Sequence, residues 1–216
     1  MPRLDDFLRV YNELEHEFNG ILVLTLSNHI LPVAQVAQKA ALQHGGTAKI
    51  TVLDSRQTGP GLGILAQLGA QAILAGATLG DVEEHLRAAI ASIYTLIHID
   101  AQNLSRVALS PSQIDISEMG LLPLLTLEDG QFVPYRKVRT RRHLLESFQE
   151  FIEEFESPEQ IICLHGRDSA IRSRSLREIA AGSFPTVPFA DLELPAPLSR
   201  LFGPEAVAVT VMEPAR

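Results

Sequence analysis

A strand-like run, a polar segment and a helix-like run follow one another twice near the start of this chain, and this repeat limits the fold more than any other feature. The first copy has an apolar run over residues 20–26, a polar triplet at 27–29 and helical periodicity over 32–43. Residues 48–75 repeat the same order. Strand followed by helix, twice over, predicts an α/β fold with parallel strands. The unbroken apolar character of the first run is typical of a strand buried on both faces.

The pattern changes after about residue 93. Asp129-Gly130 stands between two β-rich runs, 121–127 and 132–138, and this dipeptide favours the tight turn of an antiparallel hairpin. We therefore predict two lobes: residues 1–93 as a parallel βα lobe and residues 94–216 as a mixed α/β lobe with an antiparallel hairpin. The other predicted elements are helices over 4–18, 78–91, 140–155 and 168–180, and strands over 94–99, 160–165, 186–190 and 206–212.

Charge and composition exclude several classes of protein. The chain has 18 Lys and Arg against 26 Asp and Glu, a formal charge of −8, which disfavours binding to nucleic acid or to anionic lipid. Its one clearly basic stretch, residues 136–143, is expected to be a solvated edge or a docking surface. The single cysteine, Cys163, lies in an apolar run and is expected to pack as a small hydrophobic residue. No signal peptide or membrane span is recognised, so we expect a cytoplasmic protein that is not an integral membrane protein.

Parallel sheets place ligands beyond the carboxyl ends of their strands. Here those ends are Ser27–His29 and Asp54–Gly63. The Gly-rich loop over 58–63 is able to present N–H groups to an anion, but a tight turn is the stronger interpretation because the Lys-Ser/Thr ending of a phosphate loop is absent. Asp54 is expected to hold its own loop by local hydrogen bonds. This role fits it better than that of a general base or a metal ligand. Ser27 is expected to donate a hydrogen bond to a bound acid, since no nucleophile elbow supports a hydrolase.

The histidines are not expected to form a site. His16, His44 and His85 lie on predicted helix faces or ends and are expected to be solvated. His98 and His165 lie in predicted strands, and we expect structural roles for them because no Cys or acid stands beside them at the spacing of a metal site. No cofactor motif is recognised.

Several segments together resemble the DegV family of two-lobed bacterial proteins. Residues 21–28, Ile-Leu-Val-Leu-Thr-Leu-Ser-Asn, are similar to the family's strand ending in Ser-Ser. Residues 50–63 are similar to its strand, Asp-Ser, loop and Gly-x-Gly unit. Residues 121–140 resemble its hairpin, which carries Lys-Pro-Ile-Leu, Asp-Gly and Val-Arg-Thr. The order and spacing hold over nearly the whole chain.

The departures from the family pattern concern the expected head-group contacts. The Leu-Ser-Gly-Thr expected after the first strand is replaced by residues 30–33, Ile-Leu-Pro-Val. The His of a C-terminal His-Thr-Gly-Pro-Gly motif is replaced by Leu201, and a Gly-Gly-Arg-Ile turn is not visible between Leu104 and Ile114. The family's first strand, with Thr-Asp-Ser, and its Thr-Ser-Gln-Pro segment are also absent. We therefore expect a divergent, N-terminally short member, arising either from truncation or from a reduced branch.

The resemblance implies a function and a set of site residues. It implies a non-enzymatic protein that binds a long-chain fatty acid or a similar amphiphile between its lobes and presents it to a dihydroxyacetone-kinase-like partner, a fatty acid kinase subunit. The alternative is a divergent DegV-like scaffold or interaction module that has lost ligand binding. A vacant sheet edge would also make a homo-oligomer an expectation. The ligand-binding residues that we predict are Ser27, Asn28, Asp54, Ser55, Gly61 and Gly63.

Overall fold

The computed structural model of the protein describes residues 1–107 and 120–214. Within it the chain divides into two compact units. Unit 1 comprises Met1–Ala91 together with Asp129–Gln131, and unit 2 comprises Ser92–Glu128 together with Phe132–Arg216. Most of the segment in which the Gly-Gly-Arg-Ile turn was sought lies outside the described residues.

Unit 1 contains two parallel strands and four helices. The strands pair in register from Gly20 with Lys49 to Thr25 with Asp54, which confirms the predicted parallel arrangement. Apolar side chains such as Leu53, Leu65 and Leu86 are completely buried in its core. The elements are α1 (Leu4–Leu14), β1 (Gly20–Thr25), α2 (Val33–Gln43), β2 (Lys49–Asp54), α3 (Gly59–Leu74) and α4 (Leu79–Ile90).

Strand β1 is less buried than its sequence predicts. Ile21 and Thr25 are buried, but the residues between them, 22–24, are only half-buried. A groove of about 430 Å³ runs along this strand against α1. In the described part of the chain β1 pairs with β2 alone. The expectation of a strand buried on both faces was therefore wrong, because an apolar run reports hydrophobicity but not whether a neighbour covers it.

Unit 2 is built on a six-stranded mixed sheet with the order β5-β4-β3-β8-β6-β7. Strand β3 pairs antiparallel with both β4 and β8, and β8 pairs antiparallel with β6. Strands β6 and β7 are parallel. The elements are β3 (Ile93–His98), a 3-10 helix (Ala101–Val107), β4 (Leu122–Glu128), β5 (Gln131–Val138), α5 (Arg141–Glu153), β6 (Gln160–His165), α6 (Ser173–Ser183), β7 (Phe189–Glu193), α7 (Ala196–Phe202) and β8 (Val207–Met212).

The turn between β4 and β5 has the backbone that its sequence predicts. Asp129 has φ 48° and Gly130 has φ 82°, so both central residues adopt the left-handed conformation of a two-residue hairpin turn. The 3-10 helix and α7 were not predicted, because each is a single short segment of seven residues without a clear period.

Two side chains test the predictions about burial directly. Cys163 is buried, as expected, and burial raises the pKa of its thiol to about 12. The expectation that His44 is solvated was wrong: its side chain is 2% exposed, and Nε2 lies 3.2 Å from the Glu15 carboxylate. Glu15 is 29 residues away, so only the packing of α1 against α2 brings the pair together.

No helix in the described part of the chain is both long enough and apolar enough to span a bilayer.

Candidate functional site at the strand tips of unit 1

Backbone hydrogen bonds join the carboxyl ends of β1 and β2. The Ser55 N–H donates to the Thr25 carbonyl at 3.1 Å, and the Ser27 N–H donates to the Gln57 carbonyl at 2.8 Å. The two polar segments predicted to meet at this edge therefore do meet. Ser55 strengthens its own turn, because its hydroxyl oxygen accepts from the Gln57 N–H at 3.0 Å.

Ser27 lies at the centre of this edge and is completely buried. Its hydroxyl donates to the carbonyl oxygen of Gly130, at the tip of the β4–β5 hairpin, at 2.5 Å. The same oxygen accepts from the His29 N–H at 3.2 Å. A serine hydroxyl has one hydrogen to donate, so Ser27 contacts a ligand as a donor only after it releases Gly130.

The Asp54 carboxylate is occupied by backbone donors. The Arg56 N–H donates to Oδ1 at 2.9 Å, and the Asn28 N–H lies 3.3 Å from each carboxylate oxygen. Arg56 has φ 51°, and its guanidinium donates to the Asp129 carboxylate at 3.1 Å on the exposed side of the turn. Asp54 thus holds the two loops together, which is the role expected of an acid at a strand end that bonds to its own loop.

The two glycines predicted in the site differ in their surroundings. Gly61 is buried, and a Cβ at this position would lie 2.5 Å from the Gln57 side-chain oxygen. Gly63 is exposed, and a Cβ there would meet nothing within 4 Å. Only Gly61 is therefore constrained by a close neighbour at the start of α3.

Three buried side-chain oxygens at this edge have no hydrogen-bond partner among the described residues. They are Thr25 Oγ1 at the end of β1, Asn28 Oδ1 in the loop that follows, and Thr58 Oγ1. Thr58 is the residue that precedes α3, yet its side chain makes no capping hydrogen bond to the helix. We call these three residues, with the first turn of α3, the strand-tip cluster. Unpaired buried polar groups are unfavourable, so the cluster is suited to a polar ligand group.

The chemistry of the strand-tip cluster favours an acid group. Threonine hydroxyls can donate to a carboxylate oxygen, and the first N–H groups of a helix have no partner within the helix and attract anions. Within residues 1–107 and 120–214, no three His, Cys, Asp or Glu side chains come close enough together to hold a metal ion.

The sequence analysis did not select Thr25, Thr58 or Gly130 as site residues, although Thr58 lies in the Asp54–Gly63 segment that it placed at this edge. The Thr before Gly59-Pro60 was a usable signal, because Thr is favoured immediately before a helix and Pro within its first turn. Gly130 gave no local signal, because it is 103 residues from Ser27.

Comparison with known proteins identifies the family to which this fold corresponds. The family model for DegV proteins matches residues 1–214. The chain belongs to the DegV family. A DegV domain-containing protein of Clostridium acetobutylicum is 24% identical over 160 residues, which are 71% of this chain and 56% of that protein. The match therefore spans little more than half the length of this curated relative.

Solved DegV structures have the same fold. A DegV family protein of Corynebacterium glutamicum superposes with a TM-score of 0.88 at 18% identity, over 99% of this chain and 83% of that one. A DegV family protein of Thermus thermophilus, whose description names fatty acid binding, superposes with a TM-score of 0.84 at 22% identity, over 99% of this chain and 78% of that one. A DegV family protein of Eubacterium eligens, loaded with heptadecanoic acid, superposes with a TM-score of 0.84 at 17% identity, over 98% of this chain and 78% of that one.

Proposed function

We propose that this DegV chain binds a long-chain fatty acid without altering it chemically, with the carboxylate held at the strand-tip cluster of unit 1. The observation that supports this most is the pair of buried hydroxyls on Thr25 and Thr58, which have no hydrogen-bond partner among the described residues. Each hydroxyl has a hydrogen to donate to a carboxylate oxygen, and Thr58 immediately precedes a 16-residue helix. The fatty acids associated with the related structures are ligands of this chemical type.

The energetics of an amphiphile suit this arrangement. Burial of an acyl chain contributes ~0.8 kcal/mol for each CH₂ group, so the tail supplies most of the affinity. A carboxylate taken out of water without partners is strongly disfavoured, so the head group needs donors. In this proposal the strand-tip cluster provides them, in place of the hydroxyls and the histidine that the family pattern has and this chain lacks.

The six residues predicted from the sequence take different parts in the proposal. Asn28 contacts the head group through the N–H groups of its side-chain amide. Ser27 contacts it after exchanging the Gly130 carbonyl for the ligand. Asp54 and Ser55 hold the loops in place, and Gly61 and Gly63 allow the backbone at the start of α3 to approach the ligand.

Binding of palmitate to the delipidated protein tests the proposal, with hexadecanol as a ligand of similar tail and no carboxylate. We expect palmitate to bind more tightly than hexadecanol. Thr58→Val removes one hydroxyl and should weaken palmitate binding about tenfold or more, since a hydrogen bond to a charged group contributes ~1.5–3 kcal/mol. Thr47→Val, a change of the same kind at an exposed loop residue of unit 1, is the matched control.

Mass spectrometry of denatured extracts from the purified protein gives an independent measurement. An acyl chain in the extract of the wild type, depleted in Thr58→Val but not in Thr47→Val, supports the proposal. A protein that carries no acyl chain and binds neither palmitate nor hexadecanol contradicts it.

Presentation of the fatty acid to a dihydroxyacetone-kinase-like subunit is a further part of the proposal. It rests on the resemblance to the DegV family. Mixing the palmitate-loaded protein with such a kinase subunit and ATP should yield an acyl phosphate, which hydroxylamine traps as a hydroxamate. A kinase subunit that is active with another DegV protein but not with this one would contradict that part alone.

One observation favours the alternative, a DegV scaffold without a ligand. The hydroxyl of Ser27 is already bonded to Gly130, so one donor at this edge is satisfied without a ligand. A scaffold of this kind would bind neither palmitate nor hexadecanol, and Thr58→Val would leave its solution behaviour unchanged.

A further inference from the structure

Arg56 brings a permanent positive charge to the edge of unit 1 that carries the strand-tip cluster. Residues 25–30 and 54–63 form this edge, and Arg56 is the one Lys or Arg in their sequence. Its backbone N–H donates to Asp54 Oδ1 at 2.9 Å, which fixes the residue in the loop after β2. That contact is made by the backbone and needs no guanidinium.

The backbone of Arg56 is left-handed, with φ 51°. This conformation is disfavoured for residues that have a Cβ, and glycine, asparagine and aspartate adopt it most readily. The shape of the turn therefore does not explain an arginine at this position. Strained backbone is concentrated at functional sites, so the side chain is the part of Arg56 that needs a role.

The side chains of Arg56 and Ser27 both approach the hairpin turn at 129–130, which belongs to unit 1. A Cβ added to Gly130 would lie 2.6 Å from the Ser27 hydroxyl oxygen and 3.1 Å from the Arg56 Cβ. Ser27 donates to the Gly130 carbonyl. Arg56 Nη1 donates to Asp129 Oδ1 at 3.1 Å. Two donors of the strand-tip edge are thus occupied by two consecutive residues of the turn.

The ion pair between Arg56 and Asp129 is easily exchanged. The Asp129 side chain is 88% exposed, and that of Arg56 is 56% exposed. Ion pairs this open to water contribute little to stability, so replacement of one carboxylate by another has a small free-energy cost. A guanidinium also binds a carboxylate through two parallel hydrogen bonds, so it suits the head group of an ionised acid.

The balance of charge at this edge favours such an exchange. Asp54 and Asp129 are acids, and both bond to Arg56, one through its N–H and the other through its guanidinium. A ligand carboxylate held at the strand-tip cluster adds a third negative charge. Neighbouring negative charges disfavour the ionised form of an acid, and a neighbouring cation favours it. An ionised ligand therefore gains from Arg56 and loses from Asp129.

We propose that Arg56 selects for an ionised acid at the strand-tip cluster, and that Asp129 competes with the ligand for the guanidinium. The Asp129 carboxylate occupies Arg56 until a fatty acid replaces it, and Ser27 exchanges Gly130 for the ligand at the same turn. This inference rests on the proposed fatty acid site, to which it adds a residue that determines specificity and an internal competitor.

Asp129→Asn gives the sharpest test, because the proposal requires a gain of affinity. Asparagine before glycine favours the same left-handed turn, so the variant removes the charge and keeps the backbone. Equilibrium binding of palmitate and of hexadecanol is measured with the delipidated protein at low ionic strength. The ratio of palmitate affinity to hexadecanol affinity should rise at least about threefold. Glu84→Gln removes the same charge at an exposed residue of α4, and should leave the ratio unchanged.

Removal of the guanidinium should have the opposite effect. Arg56→Asn introduces a residue that tolerates φ 51°, and it should lower the ratio of palmitate to hexadecanol affinity about tenfold. Arg56→Lys keeps the charge without the parallel pair of hydrogen bonds, so its ratio should lie between those of Arg56→Asn and the wild type. In the Arg56→Asn background, Asp129→Asn should raise the ratio less, because no guanidinium is left to release. Circular dichroism melting verifies that each variant is folded.

Hexadecanol separates failure of this inference from failure of the proposed function. A ratio that is unchanged in both Asp129→Asn and Arg56→Asn, in folded variants that bind palmitate, overturns the inference alone. Equal gains of palmitate and hexadecanol affinity in Asp129→Asn also overturn it, because the turn would then obstruct the site without regard to charge. A wild-type protein that binds neither ligand contradicts the proposed function, and the inference fails with it.

Discussion

The hydroxyl of Ser27 donates a hydrogen bond to the carbonyl oxygen of Gly130 at 2.5 Å, across 103 residues of sequence. Both residues belong to unit 1, which includes Asp129–Gln131. Arg56 and Asp129 add an exposed ion pair at 3.1 Å, whose expected contribution is small. The buried hydrogen bond is therefore the stronger attachment.

Removal of the Ser27 hydroxyl should destabilise unit 1. Ser27→Ala leaves the Gly130 carbonyl without its donor, and an unsatisfied buried polar group costs about 1–3 kcal/mol of unfolding free energy. Urea unfolding is best followed by circular dichroism, because the chain has no Trp. Ser199→Ala, in α7 of unit 2, is a matched control and should lower stability less. An unchanged urea midpoint for Ser27→Ala would show that the hydrogen bond contributes nothing.

Gly130→Ala should lower the free energy of unfolding by more than the strain of a left-handed backbone alone explains. Gly130 has φ 82°, and an added Cβ would lie 2.6 Å from the Ser27 hydroxyl. Gly76 has φ 88° with nothing within 4 Å of the same atom, so Gly76→Ala carries only the backbone strain of about 1–2 kcal/mol. The difference between the two unfolding free energies measures the contact with Ser27. Equal losses for the two variants would contradict the packing described here.

Gly203→Ala should destabilise unit 2 for a similar reason. Gly203 follows α7 with φ 95°, and an added Cβ would lie 2.2 Å from the carboxylate carbon of Asp100. The Asp100 backbone is fixed by its N–H, which donates to the Phe202 carbonyl at 3.0 Å. Substitution of Asp100 by Gly removes both the carboxylate and the Cβ, which would lie 2.6 Å from the added atom, so Gly203→Ala should cost less in an Asp100→Gly background. Strictly additive losses in this double-mutant cycle would exclude the contact.

Asp100 should make stability fall as the pH rises. Burial raises the pKa of its carboxyl above the ordinary 3.8, and the negative charges of Glu205 and Asp168 raise it further against opposing backbone hydrogen bonds. The folded state therefore binds the proton more tightly than the unfolded chain, and the native state loses stability as pH rises from 3.8 through the raised pKa. Asp100→Asn should be more stable than the wild type at pH 7.

The same experiment at low pH provides the control. Well below pH 3.8 the carboxyl is protonated in both the folded and the unfolded chain, so the advantage of Asp100→Asn in urea midpoint should shrink there. An advantage that is equal at both pH values would mean that the substitution acts through packing and not through charge.

His98 should make the protein less stable as the pH falls below 6.5, which is the opposite of the effect of Asp100. Burial lowers the pKa of its imidazole below 6.5, although the Pro123 carbonyl and Glu205 oppose that shift. The unfolded chain then binds a proton more readily than the folded one, so stability declines as pH falls from 6.5 toward the lowered pKa.

His98→Asn tests this sign. The imidazole Nδ1 lies 2.8 Å from the Pro123 carbonyl, and an asparagine amide nitrogen can donate from nearly the same place without titrating. The decline in urea midpoint below pH 6.5 should be shallower in this variant than in the wild type. His85→Asn, at an exposed residue of α4, is the matched control for the substitution itself.

Local patterns were sufficient for the elements that define the fold. The Asp129-Gly130 dipeptide predicts its turn because positive φ is a property of those residues themselves. Residues 160–165 form a strand with the predicted bounds, and the β-rich run over 48–53 forms a strand over 49–54, because each is a short β-rich run between turn signals. The helix predicted over 168–180 instead begins at Ser173, because residues 168–172 bond to neighbouring loops, including the Ala170 N–H to the Glu205 carbonyl at 3.1 Å.

The candidate site was only partly predictable. The topological rule located the tips of β1 and β2, where Ser27, Asn28 and Asp54 lie. It did not show that the Ser27 hydroxyl is already bonded or that Thr58 lacks a capping hydrogen bond. Both facts depend on which groups approach from distant parts of the chain.

The sequence by itself determined the alternation of strands and helices, the hairpin turn, the burial of Cys163 and the membership in the DegV family, because these depend on residue type and on short-range order. Only the tertiary structure decided that His44 pairs with Glu15, that the Ser27 hydroxyl bonds to the Gly130 carbonyl, and that β1 pairs with β2 alone among the described strands. Such contacts join residues tens of positions apart, and a linear pattern of hydrophobicity carries no information about which distant group covers a given side chain.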